Sequence, residues 1–270
     1  MSLQAHEKFG DQVPYGDPSW YQGAPTPYYT ASHVVFRAKM RAFVEKELKP
    51  YVDEWDEAGD YPEELREKAY KAGILGAIWP AEHGGTPPPD FDAFHDFIWM
   101  DELCRCGGGG ILWAVFTGFG IALPPVLKHG TPEMRAKVAR PVISGQKVMS
   151  LAISEPWVGS DVAGLQTTAV KSPDGKHYIV NGAKKWITGG MKASFFTVAV
   201  RTGGEGVNGI SLILMEAGAK GFETRRMKTQ GWWTSGTAYL DFDDVYVPVE
   251  NLIGIENKGF QYIMHNFNHE

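Results

Sequence analysis

The sequence predicts an α+β chain: an N-terminal all-helical bundle, then an antiparallel β-barrel or sandwich, then the start of a C-terminal helical domain left incomplete. Three observations predict it. Up to about Ser144 the apolar residues recur at three- and four-residue spacing, the period of a helix with one buried stripe. From Lys147 the pattern changes to short runs rich in Val, Ile, Thr and Phe, separated by turn residues. The last stretch, Gly254 to Glu270, reads as a helix again. The expected domains are an arm over 1–29, a helical domain over 30–146, a β domain over 147–254 and a further helical domain opening at 255–270.

In the helical half, Thr30 or Ser32 can cap a helix burying Phe36, Met40, Phe43, Val44, Leu48, Tyr51 and Trp55, with Pro50 imposing a kink or break. Pro62 opens a short helix with Leu65 and Ala69 inward, closed by Gly73. The run Gly84 to Pro89 is a loop. A helix over about Asp90 to Arg105 is expected to turn Phe94, Phe97, Ile98 and Leu103 inward. The stretch Ile111 to His129 is apolar almost all round, so it belongs inside the bundle or along an apolar cavity. Thr131-Pro132-Glu133 opens a last helix through Ser144 that buries Met134 and Val138.

Seven strands are expected after that: Val148–Ile153, Thr167–Val170, Tyr178–Val180, Phe195–Arg201, Ile210–Met215, Phe222–Arg226 and Ala238–Phe242. Pro173-Asp174-Gly175, Asn181-Gly182 and Gly203-Gly204 are the turn signals, Asn181-Gly182 being the strongest hairpin signal.

With 270 residues, 43% of them hydrophobic, the chain can fill two cores rich in its nine Trp and fourteen Phe. A net charge of −6 without a Lys/Arg-rich run excludes nucleic acid as the main partner. No apolar run approaches the ~20 residues of a membrane span. Cys104 and Cys106 lack zinc-site spacing and the eight His show no complementary cluster, so no metal is expected. Reduced thiols in an intracellular protein are the expectation, with mitochondrial, peroxisomal and cytoplasmic sites not separable.

Two stretches carry chemistry. Ile153 to Asp161 leaves an apolar strand, breaks at Pro156 and presents Gly159 and the Ser160 hydroxyl. Such a turn can hold phosphate oxygens or can be an ordinary strand exit capped by Asp161. Gly159 itself permits either close backbone approach or a positive φ. Lys184 to Gly190 ends a strand with Trp186, Ile187 and Thr188. Ser154 and Thr188 could supply hydroxyls to a planar cofactor and Trp186 a flat wall, although an isolated Trp also serves as a core residue.

Together these segments resemble the acyl-CoA dehydrogenase family. The residues carrying the resemblance are Ser154-Glu155-Pro156, Gly159-Ser160-Asp161, Asn181-Gly182, Trp186-Ile187-Thr188, Tyr239 to Pro248, Asn251 to Gly254, and Gly259-Phe260. It covers roughly residues 30 to 270 in order, and family members continue into a second helical domain.

The resemblance implies FAD as cofactor, because no side chain accepts hydride. A carboxylate would remove the α-proton of an acyl-CoA thioester while flavin N5 takes the β-hydride, a reaction of fatty acid metabolism. Ile153 and Ser154 would lie along the flavin ring edge, Gly159 and Ser160 would meet the pyrophosphate, Trp186 would pack on the ring, and Thr188 would bond near N5. Glu270 falls where some relatives carry the base.

The resemblance also implies electron-transfer flavoprotein as acceptor, or O2 in an oxidase, and a homo-oligomer when full length. A related flavoenzyme acting on a nitroalkane and a non-catalytic fragment of the fold are the other readings. Three departures from the family pattern stand out: Ser154 in place of Thr, the bulky Trp157-Val158, which could narrow the thioester entrance, and the loop Gly231 to Thr237. Phe116, Phe119 and Ile121 would either limit acyl length or simply pack the core.

Overall fold

The computed structural model describes residues 18–267. Most of the arm expected over 1–29 lies outside the described residues, and its described end places Tyr21 in the core, with the hydroxyl donating to Asp101 at 2.6 Å. Helix α1 (Ala31–Phe43) begins at Thr30, whose N–H donates to His33 Nδ1 at 2.9 Å. A π-helical turn over Val44–Leu48 and a short turn around Pro50 separate α1 from α2 (Val52–Ala58). That break carries Tyr51 out of the expected stripe to 43% exposure. Helix α3 (Leu65–Lys71) follows.

Helix α4 (Ala93–Cys104) differs from expectation in which face it buries. The inward residues are His95, Ile98, Trp99, Glu102 and Leu103, while Phe97 is exposed. Ion pairing decides the rotation. The buried Glu102 carboxylate accepts from Arg37 at 2.5 Å and from Arg41 at 2.8 and 2.9 Å, which draws a polar stripe of α4 onto α1. The N-terminal ends of the same two helices also gather His33, Asp92 and His95, a cluster the sequence spacing hid. Backbone N–H groups of Thr30 and Asp92 donate to the Nδ1 atoms of His33 and His95, and Asp92 in turn caps α4 through Phe94 and His95. These bonds account for the cluster as a double helix cap.

The long apolar helix expected over Ile111–His129 is divided into α5 (Gly109–Ile111), a π-helical turn (Leu112–Thr117), α6 (Gly118–Ala122) and α7 (Pro124–His129). Pro124 has no N–H to continue the ladder. Helix α8 (Pro132–Ile143) starts as expected, the Thr131 hydroxyl accepting from Met134 N–H at 3.1 Å. Among the described residues no single helix is long and apolar enough to cross a membrane.

The helical half is followed by a sheet that has eight strands among the described residues, the seven expected and one more at Leu252–Ile253. They are β1 (Met149–Ala152), β2 (Thr168–Lys171), β3 (His177–Ile187), β4 (Phe195–Arg201), β5 (Ile210–Glu216), β6 (Phe222–Arg226), β7 (Ala238–Pro248) and β8 (Leu252–Ile253). Their order is β6-β7-β3-β2-β4-β5-β8, with β1 paired to β4. The sheet is open, since β6 and β8 end it without pairing to each other, so the expected barrel closure does not occur. It is also mixed. β1 and β2 both meet β4 in parallel, because the chain leaves β1 and makes the β2–β3 hairpin before it returns.

Asn181-Gly182 is no hairpin turn: β3 runs straight through it with a shift of register between Val180 and Gly182. A side chain at Gly182 would meet Thr167 Cα at 2.8 Å, and its φ of +139° suits glycine. Asn181 clamps the bulge by exchanging two 2.9 Å hydrogen bonds with Asp244 of β7, which itself sits at φ +48°. Helix α9 (Gly259–Phe267) then packs beside α7 and β5.

Every residue from Phe195 to Val200 in β4 is buried, one side facing the bundle and the other the curled remainder of the sheet. One bond crosses that seam: the Thr197 hydroxyl donates to the Ala122 carbonyl at 2.7 Å, both residues fully buried. Thr197→Val keeps the shape and removes the donor, so stability should fall by about 1–3 kcal/mol. A urea melt checks this, with a lower midpoint and an unchanged slope expected.

Candidate functional site

Where β1 ends, the chain turns through Ile153 to Asp161 and is fixed from beneath by a fully buried ion pair. Lys184 Nζ of β3 donates to Glu155 Oε1 and to the Ile153 carbonyl, each at 2.9 Å, and neither side chain has any exposure. Glu155 also accepts from Trp157 Nε1 at 3.0 Å and from the backbone N–H groups of Gln166 and Thr167 at 2.7 and 2.9 Å. Main-chain bonds in both directions between Glu155 and Val158 close the turn over Pro156 and Trp157.

The two charges fare differently. Burial opposes the Glu155 charge, but Lys184 and the hydrogen bonds hold its carboxyl below the usual range. Burial dominates for Lys184, pushing it down to about 8 against the pull of Glu155. Lys184 has two acceptors to offset burial, where Glu155 has four donors.

The same strand supplies the facing wall. Lys185 N–H donates to the Ser154 carbonyl at 2.9 Å, which brings the end of β3 against the turn. A second irregularity of register, between Lys184 and Ile187, accompanies Trp186 at φ +66°. The indole is thrown outward to 55% exposure, with Lys185 Nζ 4.8 Å from the ring centre. Trp186 is therefore a wall and not a core residue. Behind it the Ser150 hydroxyl donates to the Thr188 carbonyl at 2.7 Å, tying β1 to the segment after β3.

Between these walls lies a cleft of ≈ 730 Å³. Ile153, Ser154, Gly159, Ser160, Trp186 and Thr188, all singled out in the sequence as cofactor-binding, line it together. Glu270, the candidate base, lies outside the described residues. Ile121 lines the cleft, but Phe116 and Phe119 do not: they are buried against Trp99 and Trp79 in the bundle. Trp157 points to solvent while bonding Glu155, and neither it nor Val158 lines the cleft.

Sequence reasoning missed Trp113, Leu151 and Val162, and on α9 it missed Phe260, Met264 and Phe267. The last three recur at i, i+4 and i+7, a signal that could have found them. A smaller cavity of ≈ 340 Å³ shares Trp113, Trp186 and Thr188 with the cleft and is walled by Trp232 of the Gly231–Thr237 loop.

The arrangement can take a long ligand with an apolar planar part and an anionic part. Apolar and aromatic groups form one wall, and small hydroxyls and an open glycine line the turn. Neither backbone conformation nor packing requires glycine at 159: its φ is not positive, and an added Cβ would meet no protein atom within 4 Å.

A family model described as acyl-CoA dehydrogenase, N-terminal domain, matches residues 30–146, and one described as acyl-CoA dehydrogenase, middle domain, matches residues 150–245. The chain is 42% identical to acyl-CoA dehydrogenase apdG of Emericella nidulans over 272 residues, covering 96% of this chain and 62% of the relative. A crystal structure of a probable acyl-CoA dehydrogenase from Mycobacterium abscessus superposes with a TM-score of 0.84 at 40% identity, over 89% of this chain and 63% of that one. An acyl-CoA dehydrogenase from Bacillus anthracis, complexed with FAD, gives 0.80 at 28% identity, over 90% of this chain and 41% of that one. The chain thus spans about three fifths of the length of the first two.

Glu155→Gln leaves a fully buried ammonium without its counter-charge, which should cost about 3–5 kcal/mol. The effect has a definite pH dependence. Because the folded carboxyl titrates below its ordinary value of 4.5, the folded state binds fewer protons, and the stabilisation is present above that pH. It is lost as pH falls through the folded value. Denaturant melts of the two proteins should therefore differ most near neutrality and converge on acidification.

Proposed function

This chain belongs to the acyl-CoA dehydrogenase family, and from that premise we propose that its cleft holds FAD for the α,β-dehydrogenation of an acyl-CoA thioester. One observation carries the reading. Six residues spread from position 153 to position 188, each of a type suited to the cofactor, line a single cleft.

The residues fit the group. Ile153, Ser154, Trp186 and Thr188 offer an apolar edge, a flat wall and two hydroxyls to the ring system. Gly159 and Ser160 offer open backbone and a hydroxyl to the pyrophosphate, which explains a glycine that no protein neighbour requires. FAD, when bound, would supply the hydride acceptor that side chains cannot. The chain's own work is to orient and to exclude water: Trp186 shields one side, and Phe260 and Met264 of α9 make the opposite border apolar. The acyl-CoA would enter alongside Ile121.

Glu270 is our candidate for the carboxylate that takes the α-proton. This rests on the resemblance of Gly259–Glu270 to the helix that carries the base in some relatives. A base must titrate near the working pH, which an apolar surround promotes by raising a carboxyl's pKa. Electron-transfer flavoprotein is the proposed acceptor of the electrons.

Visible absorbance of the purified protein after FAD reconstitution, followed by anaerobic bleaching with acyl-CoA, tests the reading. A colourless protein, or a flavin that no acyl-CoA bleaches, would overturn it. Ser160→Ala should weaken FAD retention about ten- to a hundredfold, the loss of one hydrogen bond to a charged phosphate. Titration of the apo-variant with FAD measures it. Glu270→Gln should keep FAD and acyl-CoA binding but slow single-turnover bleaching by about 10²–10⁴-fold. Unchanged bleaching in that variant places the base on another residue.

A further inference from the structure

The cleft and the ≈ 340 Å³ cavity beside it are bounded in common by Trp113, Trp186 and Thr188. Trp186 and Thr188 are assigned to the cofactor. Trp113 is the one residue of the helical half that borders both spaces among the described residues. It is therefore the partition that an acyl group would meet.

Local backbone geometry puts it there. Trp113 and Gly118 are five residues apart, yet both line the cleft. Around an α-helix such residues stand about 140° apart and face different sides. The π-helical turn over Leu112–Thr117 closes its hydrogen bonds over five residues and so brings the two onto one face. Gly118 lies against Thr188, since a Cβ added to it would meet Thr188 Cγ2 at 3.9 Å. Trp113 thus stands one π-helical turn from the place where the helical half touches a proposed flavin residue.

The indole is also backed. It stacks on Trp232 with ring centres 5.9 Å apart and planes inclined by 29°. Trp232 in turn is seated on Gly109 and Gly110: a Cβ at 109 would strike its ring at 2.5 Å, and one at 110 would meet its Cα at 3.1 Å. Trp232 holds a left-handed backbone at φ +55°, a conformation that its surroundings must enforce. The Thr234 amide and hydroxyl, both donating to Asp56 Oδ1, fasten the loop two residues on. Two stacked indoles on such a seat make a wall that a ligand does not push aside.

We propose that Trp113 is the specificity-determining residue of the cleft, ending the space open to the acyl chain and selecting short acyl-CoA thioesters. The assignment rests on the reading of the cleft as a site for FAD and acyl-CoA. Replacing the indole by a small side chain joins the cleft to the second cavity and admits longer chains.

Steady-state oxidation of butyryl-, octanoyl- and dodecanoyl-CoA by the FAD-reconstituted protein, with a dye as electron acceptor, tests this. The parent should prefer butyryl-CoA. Trp113→Ala should raise the octanoyl-to-butyryl ratio of kcat/KM about ten- to a hundredfold, mainly through KM, as methylenes in an apolar pocket do. A ratio cancels any loss common to both substrates, so a merely structural effect leaves it unmoved. Trp113→Phe, which keeps an aromatic ring in place, should move the ratio the same way by less, and so should Trp232→Ala, which strips the backing. Calorimetric titration with crotonyl-CoA and octenoyl-CoA, already unsaturated at the reacting carbons, should show the same shift in dissociation constants. A parent that prefers dodecanoyl-CoA, or ratios and constants unchanged in Trp113→Ala and Trp113→Phe, would overturn the assignment and leave the dehydrogenase reading standing. A protein whose flavin no acyl-CoA bleaches overturns that reading and this assignment with it.

Discussion

The pairing of Glu155 with Lys184 is the constraint on which the cleft depends. A charge removed from water is costly unless it is paired and its remaining valences are filled. Here one carboxylate collects four donors from three separate stretches: the indole of Trp157, the amides of Gln166 and Thr167, and the ammonium of Lys184. Any other path for the 153–161 turn would strand at least one of these groups. The turn is therefore fixed in position although it lies at the surface, and Ser154, Gly159 and Ser160 are fixed with it.

The opposite wall depends on irregularity in β3. A regular strand alternates its side chains between two faces, and continuing that alternation would have kept Trp186 among its neighbours. The shift of register before Ile187 and the left-handed backbone at Trp186 break the alternation, so the indole faces the cleft while Ile187 stays buried. Positive φ at a tryptophan costs roughly 1–2 kcal/mol. Such strain persists only where the surroundings over-determine it, and the bonds from Lys185 N–H and to the Thr188 carbonyl do so on either side.

The two halves of the chain meet along a surface that uses the same economy of polar groups. Thr197 reaches the Ala122 carbonyl, and Asp56 of α2 accepts from both the amide and the hydroxyl of Thr234 at 3.0 and 2.9 Å. These bonds hold the Gly231–Thr237 loop against the helical half, and Trp232 in that loop stacks with Trp113 at 5.9 Å. The helical half thus shares in the site it lies beside.

The sequence by itself determined what is local. Periodicity separated helices from strands near residue 147, Thr131 and Pro132 placed the start of α8, and the residue types at 153–161 and 186–188 singled out six positions that one cleft brings together. It could not determine what depends on partners distant in the chain. Asn181-Gly182 carries the chemistry of a tight turn, yet Asp244, sixty-three residues on, takes up the asparagine and turns the pair into a bulge within a continuous strand. Phe97 has every reason to be inward until Arg37 and Arg41 claim Glu102 on the other face of the helix. The open, mixed sheet and the burial of Lys184 belong to the same class. Each rests on which groups meet across the fold, and hydrogen-bond and charge satisfaction in a dry interior is a property of that meeting, not of any stretch of sequence.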